Sequence, residues 1–427
     1  MNAQIQLPPP TTPSTSAPQV LVGIDWADLE HAVCLIDPQG RVTVTALAQS
    51  PEAIDEWASE LASRFPGQTI AIAVEQSKGA LVFALLKYEH LQLYPINPKQ
   101  LARYREAINP SGGKNDPGDA RLLAQFLQHY QAQLRPLKPD TMATRKLGNL
   151  VQIRRESVDE RTRLTLKLRS TLKLYFPQLV ELCPTQLSLL IELVLRWPTL
   201  ALLKRVHVKT LRAFLKEHGV ANAERQTKFI QAVRAAVPLT RDNAIIEPYS
   251  ISATLAARQI RELSQAIADI EQRIFTETQQ HPDQHIFRAI PGAGDALVPR
   301  LIVAFGTDRE RFQSADEVQA YSGIAPITKQ SGKMRHVSRR YACPKFLRQT
   351  FHEFADQARK WSSWSMAFYQ YKREAGFRHH AAVRALAFKW IRIMFHLWKT
   401  KSTYDEGVYI EQLKKSKSPI VKFLKSA

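Results

Sequence analysis

Apolar positions along residues 19–135 fall into short runs separated by polar turns. QVLVGIDWA opens the ordered part of the chain as an apolar strand. EHAVCLIDPQGRVTVTAL then reads as two strands joined by a turn at Asp37-Pro38-Gln39-Gly40, so residues 19–47 are predicted to form three antiparallel strands. A helical pattern follows at 51–64. TIAIAVE (69–75) is a β-branched run ending in a glutamate. KGALVFALLKYE reads as a helix, LQLYPI as a strand, PKQLARYREAI as a helix, and ARLLAQFL as a further helix-like stretch. Strands alternating with helices after an initial meander predict an α/β domain, a mixed sheet covered by helices, over 19–135.

The pattern then changes period. Residues 141–176 and 250–279 place apolar side chains at helical spacing with few breakers, and are predicted to pair as an antiparallel coiled coil. Residues 180–245 between them read as helical and carry no motif. From 283 the stretch HIFRAIPGAGDALVPRLIVAF reads helix, Gly-x-Gly turn, helix. That is the pattern of a helix-hairpin-helix, whose turn offers backbone N–H groups to a phosphate; a plain helix–turn–helix corner is the alternative. The organisation expected is a Pro/Thr/Ser-rich disordered tail at 1–18, the α/β domain at 19–135, a helical region at 136–282, a mostly α domain at 283–400, and a basic tail at 401–427 in which KKSKSPIVKFLK reads as disordered.

Charge narrows the partners. The 427 residues hold 59 Lys plus Arg against 39 Asp plus Glu, a formal net charge of +20. Such a surface attracts polyanions, nucleic acid before membrane. No run of 18 apolar residues predicts a membrane span, and no signal-peptide pattern opens the chain. Cys34, Cys183 and Cys343 are odd in number and far apart, which fits a reducing cytoplasm and offers no metal-ligand spacing. Between 145 and 173 nine Lys or Arg stand against three Asp or Glu, either a solvated helix face or a nucleic-acid track.

Against this basic background four carboxylates stand out. Asp25 ends the first strand and Glu75 ends TIAIAVE. Asp116 and Asp119 lie in NPSGGKNDPGDA (109–120), at or just before a helix start, where their spacing puts them on one face. Carboxylates at strand ends and a helix start can converge at one edge of a sheet. Hard oxygen ligands there would bind Mg²⁺, and two such ions about 4 Å apart clamp the attacking and leaving oxygens of a phosphodiester. Three of them have a plainer reading: a strand end for Glu75, a turn for Asp116, a helix cap for Asp119. Near the other end, residues 329–348 carry seven Lys or Arg plus His336 and no acid, a phosphate-backbone signal enclosing Ser331-Gly332. From the residues alone Ser314, Ser322 and Ser338 compete with Ser331 for attention.

GIDWADLEHAVCLID, AVEQSKGAL, INPKQLARYREAINPSGGKNDPGDARLLAQFL, IPGAGDALVPRLIVAFG and FQSADEVQAYSGIAPITKQSGKMRHVSRRYACPKFLRQTFHEFA together resemble one family. It is the transposases of bacterial insertion sequences with an N-terminal RuvC-like DEDD domain and a C-terminal serine transposase domain, described as bridge-RNA-guided recombinases and including a pilin-gene invertase. The resemblance covers about 19–135 and 283–395. It implies a RuvC/RNase H-like fold, and a metal tetrad of Asp25, Glu75, Asp116 and Asp119 holding Mg²⁺, with Mn²⁺ as the alternative. It implies Ser331 as the nucleophile that forms a phosphoserine link to DNA. Lys114, Lys329, Lys333, Arg335, Arg339 and Arg340 are the candidate phosphate contacts. No Ser-His-Asp arrangement surrounds Ser331, so activation would fall to a metal held by the carboxylates. A structured guide RNA, a dimer or tetramer, no membrane partner, and a cytoplasmic, nucleoid-associated location belong to the same expectation. Two other classes stay open: a metal nuclease or junction resolvase using water, and a non-catalytic nucleic-acid-binding protein. The chain is longer than compact members of the family, mainly in 180–245 and in the tail.

Overall fold

In the computed structural model, residues 19–108, 115–332 and 334–424 are described. The expected tail at 1–18, Lys114 and Lys333 lie outside them. The chain divides after Pro139 into two units.

The first unit is a three-layer α/β sandwich. Strands β1 (Leu21–Asp25), β2 (Glu30–Ile36) and β3 (Val42–Ala48) form the antiparallel meander. Helix α1 (Pro51–Arg64) leads to β4 (Ile70–Val74), helix α2 (Ala80–Leu85) to β5 (Leu91–Pro95), and α3 (Pro98–Ile108) and α4 (Asp116–Tyr130) follow. β1, β4 and β5 run parallel, and the sheet order is β3-β2-β1-β4-β5. The turn after β2 is fixed by Asp37, whose Oδ1 accepts from the amides of Gln39 and Arg41, each at 2.9 Å. Strand alternation sorts the core. Val22, Ile24, Ile72 and Val74 face α1 and α2, whereas Leu21, Ala71 and Ala73 face α3 and α4. The small residues on the second face let α4 lie directly on the sheet. A Cβ on Gly23 would collide with the carbonyl of Ala120 and the amide of Ala124. Gly23→Ala is therefore expected to cost about 3 kcal/mol, because backbone on both sides must move. A shift in the denaturant midpoint would measure it.

The second unit begins with α5 (Met142–Leu172). Helices α6 (Pro177–Leu182), α7 (Leu187–Arg196), α8 (Leu200–Arg205), α9 (Val208–Glu217) and α10 (Ala223–Ala235) follow, and α11 (Asn243–Gln279) returns. α5 and α11 are antiparallel: Lys146 pairs with Glu277 and Arg154 with Glu271, so the start of one helix meets the end of the other. The otherwise motif-less 180–245 packs a separate core against the far end of this pair, with Leu168 and Leu172 on one side and Ala257 and Ile260 on the other. Of the nine basic residues in 145–173, Lys146, Arg154, Arg155 and Arg163 are held by carboxylates, which favours the solvated-face reading for that part of the helix.

Beyond α12 (Gln284–Arg288) and α13 (Val298–Phe305) come α14 (Ala315–Tyr321), strands β6 (Ile327–Ser331) and β7 (Met334–Ser338), α15 (Lys345–Trp361), α16 (Ser363–Glu374), α17 (His379–Thr400) and α18 (Glu406–Lys415). Their core is aromatic. Trp364, Trp390 and Trp398 are fully buried, and each indole N–H finds an acceptor: Tyr404 Oη, Ser365 Oγ and the Gly306 carbonyl, at 2.6, 2.9 and 2.7 Å. The expectation of a disordered basic tail gives way here. α18 and a 3₁₀ turn at Pro419–Phe423 dock through buried Leu413 and Ile420 onto this core, so residues 406–424 are ordered despite their lysines.

Candidate functional site

Asp25 and Glu75 end up side by side. β1 and β4 are parallel neighbours with Ile24 opposite Val74, so the next residue of each, Asp25 and Glu75, leaves the same edge of the sheet. Alternation puts both on the α4 face, in line with Leu21 and Gly23 on one strand and Ala71 and Ala73 on the other. Both are half-buried.

Helix α4 brings the aspartates to that face. Asn115, not Asp119, is its cap: Asn115 Oδ1 accepts from the Gly118 amide at 2.7 Å. Asp116 is the first helical residue and is exposed. Asp119 is buried one turn in, next to Ala120, whose carbonyl lies against Gly23 two residues before Asp25. The cap reading of Asp119 is thereby set aside, and a second partner emerges that sequence reasoning missed. Arg105 of α3 donates from Nη2 to Asp119 Oδ1 at 2.7 Å, and its buried Nε has no hydrogen bond among the described residues. Nothing in PKQLARYREAI distinguishes Arg105 from Arg103, which is exposed. His31 was also passed over. Fully buried, it accepts the Ala27 amide at Nδ1 (3.1 Å) and so donates from Nε2 to Gln49 (2.6 Å), holding the loop that follows Asp25.

The donor set of this edge is carboxylate oxygen, the chemistry of a hard divalent cation. Among the described residues no three Asp, Glu, His or Cys side chains stand close enough together to hold a metal as they are.

In the second unit the basic stretch around Ser331 is a β-hairpin. Ser331 ends β6 and pairs with Met334, and Gly332 at the tip has φ +54°, a conformation glycine adopts without strain. Ser331 is exposed. Lys329 and His336, also exposed, are directly opposed two residues down the ladder, on the face that carries Ser331. Arg335 lies in β7, opposite Gln330. Arg339 and Arg340 follow the hairpin, the first exposed and the second half-buried with an unpartnered Nε among the described residues. Ser322 is buried against the Gln319 carbonyl and Ser314 caps α14, so both are accounted for structurally.

The helix–turn–helix around Gly292 is present between α12 and α13. Its amides at Ala293, Leu297 and Val298 donate to carbonyls within the turn, and Arg288 pairs with Asp295 across it. Those three amides are committed within the fold, which favours the plain-corner reading for that part of the turn. Across the described residues, no helix is long and apolar enough to cross a membrane.

Two transposase family models match the chain. Residues 22–177 match the DEDD transposase model of IS110 type, and residues 284–370 match one described as Transposase IS116/IS110/IS902 family. The chain is 28% identical over 396 residues to the "Mini-circle putative transposase for IS117" of Streptomyces coelicolor, covering 91% of this chain and 95% of that one. It is 25% identical over 404 residues to the "Insertion element IS900 uncharacterized 42 kDa protein" of Mycobacterium paratuberculosis, covering 91% and 98%. A shorter likeness, 35% over 81 residues (18% of this chain and 25% of the other), links it to the pilin gene-inverting protein of Moraxella bovis.

Proposed function

We propose that this chain, an insertion-sequence transposase of the IS110/IS116/IS902 family, cuts and rejoins DNA through a covalent link between a DNA phosphate and Ser331. The observation that carries the reading is the place of Ser331: an exposed hydroxyl at a hairpin tip, flanked on its own face by Lys329 and His336 and followed by Arg339 and Arg340. A nucleophile that must enter a DNA backbone needs that exposure, and the scissile phosphate needs positive charge beside it.

In the step proposed, Ser331 Oγ forms a bond to phosphorus as the phosphorus–deoxyribose oxygen bond breaks. The serine loses its proton and the leaving oxygen gains one. Attack on the phosphoserine by a hydroxyl of the exchanged strand reverses the chemistry, so bond energy is conserved and no high-energy cofactor is consumed. Asp25, Glu75, Asp116 and Asp119 would hold Mg²⁺ or Mn²⁺, which when bound would supply charge neutralisation and an acidified hydroxyl at the phosphate. The parallel β1–β4 pair with its carboxylate edge supports a RuvC-like reading of the first unit. Lys114 and Lys333 join the phosphate contacts. Several strands must be held at once, so two or four copies belong to the reading, and the resemblance to bridge-RNA-guided recombinases adds a structured guide RNA.

A trapping assay tests it. Protein, Mg²⁺, and DNA and RNA from the native locus are mixed, denatured and run on a gel. A protein–DNA adduct is expected. Cleaved DNA without an adduct would replace this reading with a water-using nuclease.

A further inference from the structure

Basic residues gather a second time, between two helices rather than along one stretch of chain. On α15, Arg348 and His352 stand one turn apart; on α17, His380 and Arg384 do the same. His352 Nε2 and His380 Nδ1 lie 3.3 Å apart with ring centroids 5.5 Å apart, so these two faces meet. Arg339, just past β7, stacks its guanidinium 5.4 Å from the Tyr341 ring, and Arg348 Nη1 reaches Cys343 Sγ at 3.4 Å, which brings the segment after the hairpin onto the same seam.

The seam is partly buried and one-signed. Arg348, His352 and Arg384 are half-buried. Among the described residues no carboxylate pairs with Arg339, Arg348 or Arg384. Asp356, the acid that neighbours His352, is held by Arg359 at 2.7 Å and lies 3.8 Å from His379. Burial, then the charges of Arg339 and Arg348, lower the pKa of Arg384, while Tyr341 acts in the opposite direction. Burial, then His380 and Arg384, likewise lower that of His352, with Asp356 opposing. Cations drawn out of water against one another are unfavourable until an anion joins them.

We propose that the α15–α17 seam is a phosphate seat, in which Arg348 and Arg384, with Arg339 closing one side, grip a backbone phosphate of the DNA that Ser331 attacks. Guanidinium forks suit the tetrahedral oxygens of a phosphate, and His352 and His380 would add charge-assisted donors once the anion is present. Arg339 adjoins Ser338, which pairs with Ile327 at the hairpin base, while Ser331 sits at its tip. Four strand steps separate base from tip, about 13 Å. The seat would thus anchor the strand at a fixed short distance from the reacting phosphate. This inference rests on the reading that the chain acts on DNA.

The test is the salt dependence of binding by the full chain to a duplex from its element's end, followed by fluorescence anisotropy. Arg384→Gln and Arg348→Gln are each expected to weaken binding and to flatten the slope of log affinity against log salt by about 1. Lys209→Gln, an exposed charge on α9, should do neither. Thermal melts confirm that the variants fold, and Arg384→Lys, which retains the charge, should keep the slope if Arg384→Gln does not fold. Slopes equal to wild type in both arginine variants would overturn the proposal. So would a seam that binds inorganic phosphate, read from histidine resonances, while both variants keep the wild-type DNA slope, since it would then serve a free anion. Failure of the serine reading is separately visible: wild-type protein would form no adduct, yet the slope change would remain.

Discussion

Replacing Ser331 with alanine is expected to abolish the covalent adduct and to lower strand exchange by roughly four to six orders of magnitude, the scale of losing a nucleophile. The same change should leave stability within about 0.5 kcal/mol of wild type, because the side chain is exposed at a hairpin tip. DNA affinity should also hold, since backbone charge rather than a hydroxyl supplies it. That separation makes the variant informative. Loss of the adduct with binding and melting temperature unchanged assigns the chemistry to the hydroxyl. Cleavage that persists without an adduct would assign attack to water and leave Ser331 as a turn residue. Ser338, at the base of the hairpin opposite Ile327, is the control: Ser338→Ala should still form adduct.

How much of this was legible before the structure varies with the range of the interactions involved. The first unit could be read from local pattern. Strand alternation and the Asp37–Gly40 turn define the meander, and apolar runs ending in Asp25 and Glu75 put both carboxylates on one edge, because β1 and β4 are parallel and in register. The hairpin carrying Ser331 was not legible. Ile327–Ser331 and Met334–Ser338 are exposed along nearly all their described positions, so no alternation marks them. The ordered C-terminal segment escaped for a related reason: Leu413 and Ile420 are sparse anchors among lysines, and their burial depends on a core formed elsewhere. Arg105 and the α15–α17 seam are products of tertiary packing. Arg105 reaches Asp119 across fourteen positions, and His352 meets His380 across twenty-eight. No spacing rule announces either.

The two aspartates of α4 give the second large expected effect, and their surroundings predict that they will fail differently. Asp116→Asn and Asp119→Asn should each reduce Mg²⁺-dependent cleavage by two to three orders of magnitude, roughly the loss of a charged group that stabilises the reacting phosphate. Asp116 is exposed at the first position of the helix, where losing a negative charge costs about 0.5 kcal/mol through the helix dipole. Asp119 carries structure as well. Its side chain is 6% exposed and holds Arg105, itself 21% exposed, so the asparagine leaves a partly buried guanidinium without its counter-charge and should cost about 2 kcal/mol. The Arg105 contact also bears on metal uptake. On the proposed reading a cation at this edge would take over the charge balance that Arg105 now provides to Asp119, so Arg105→Gln should shift the Mg²⁺ concentration needed for half-maximal cleavage while leaving adduct formation possible. Cleavage against Mg²⁺ concentration, paired with denaturant melts for the three variants, separates the roles. If Asp119→Asn lost only stability and cleaved like wild type at every Mg²⁺ concentration, Asp119 would be a structural partner of Arg105, and the metal would have to be held without it.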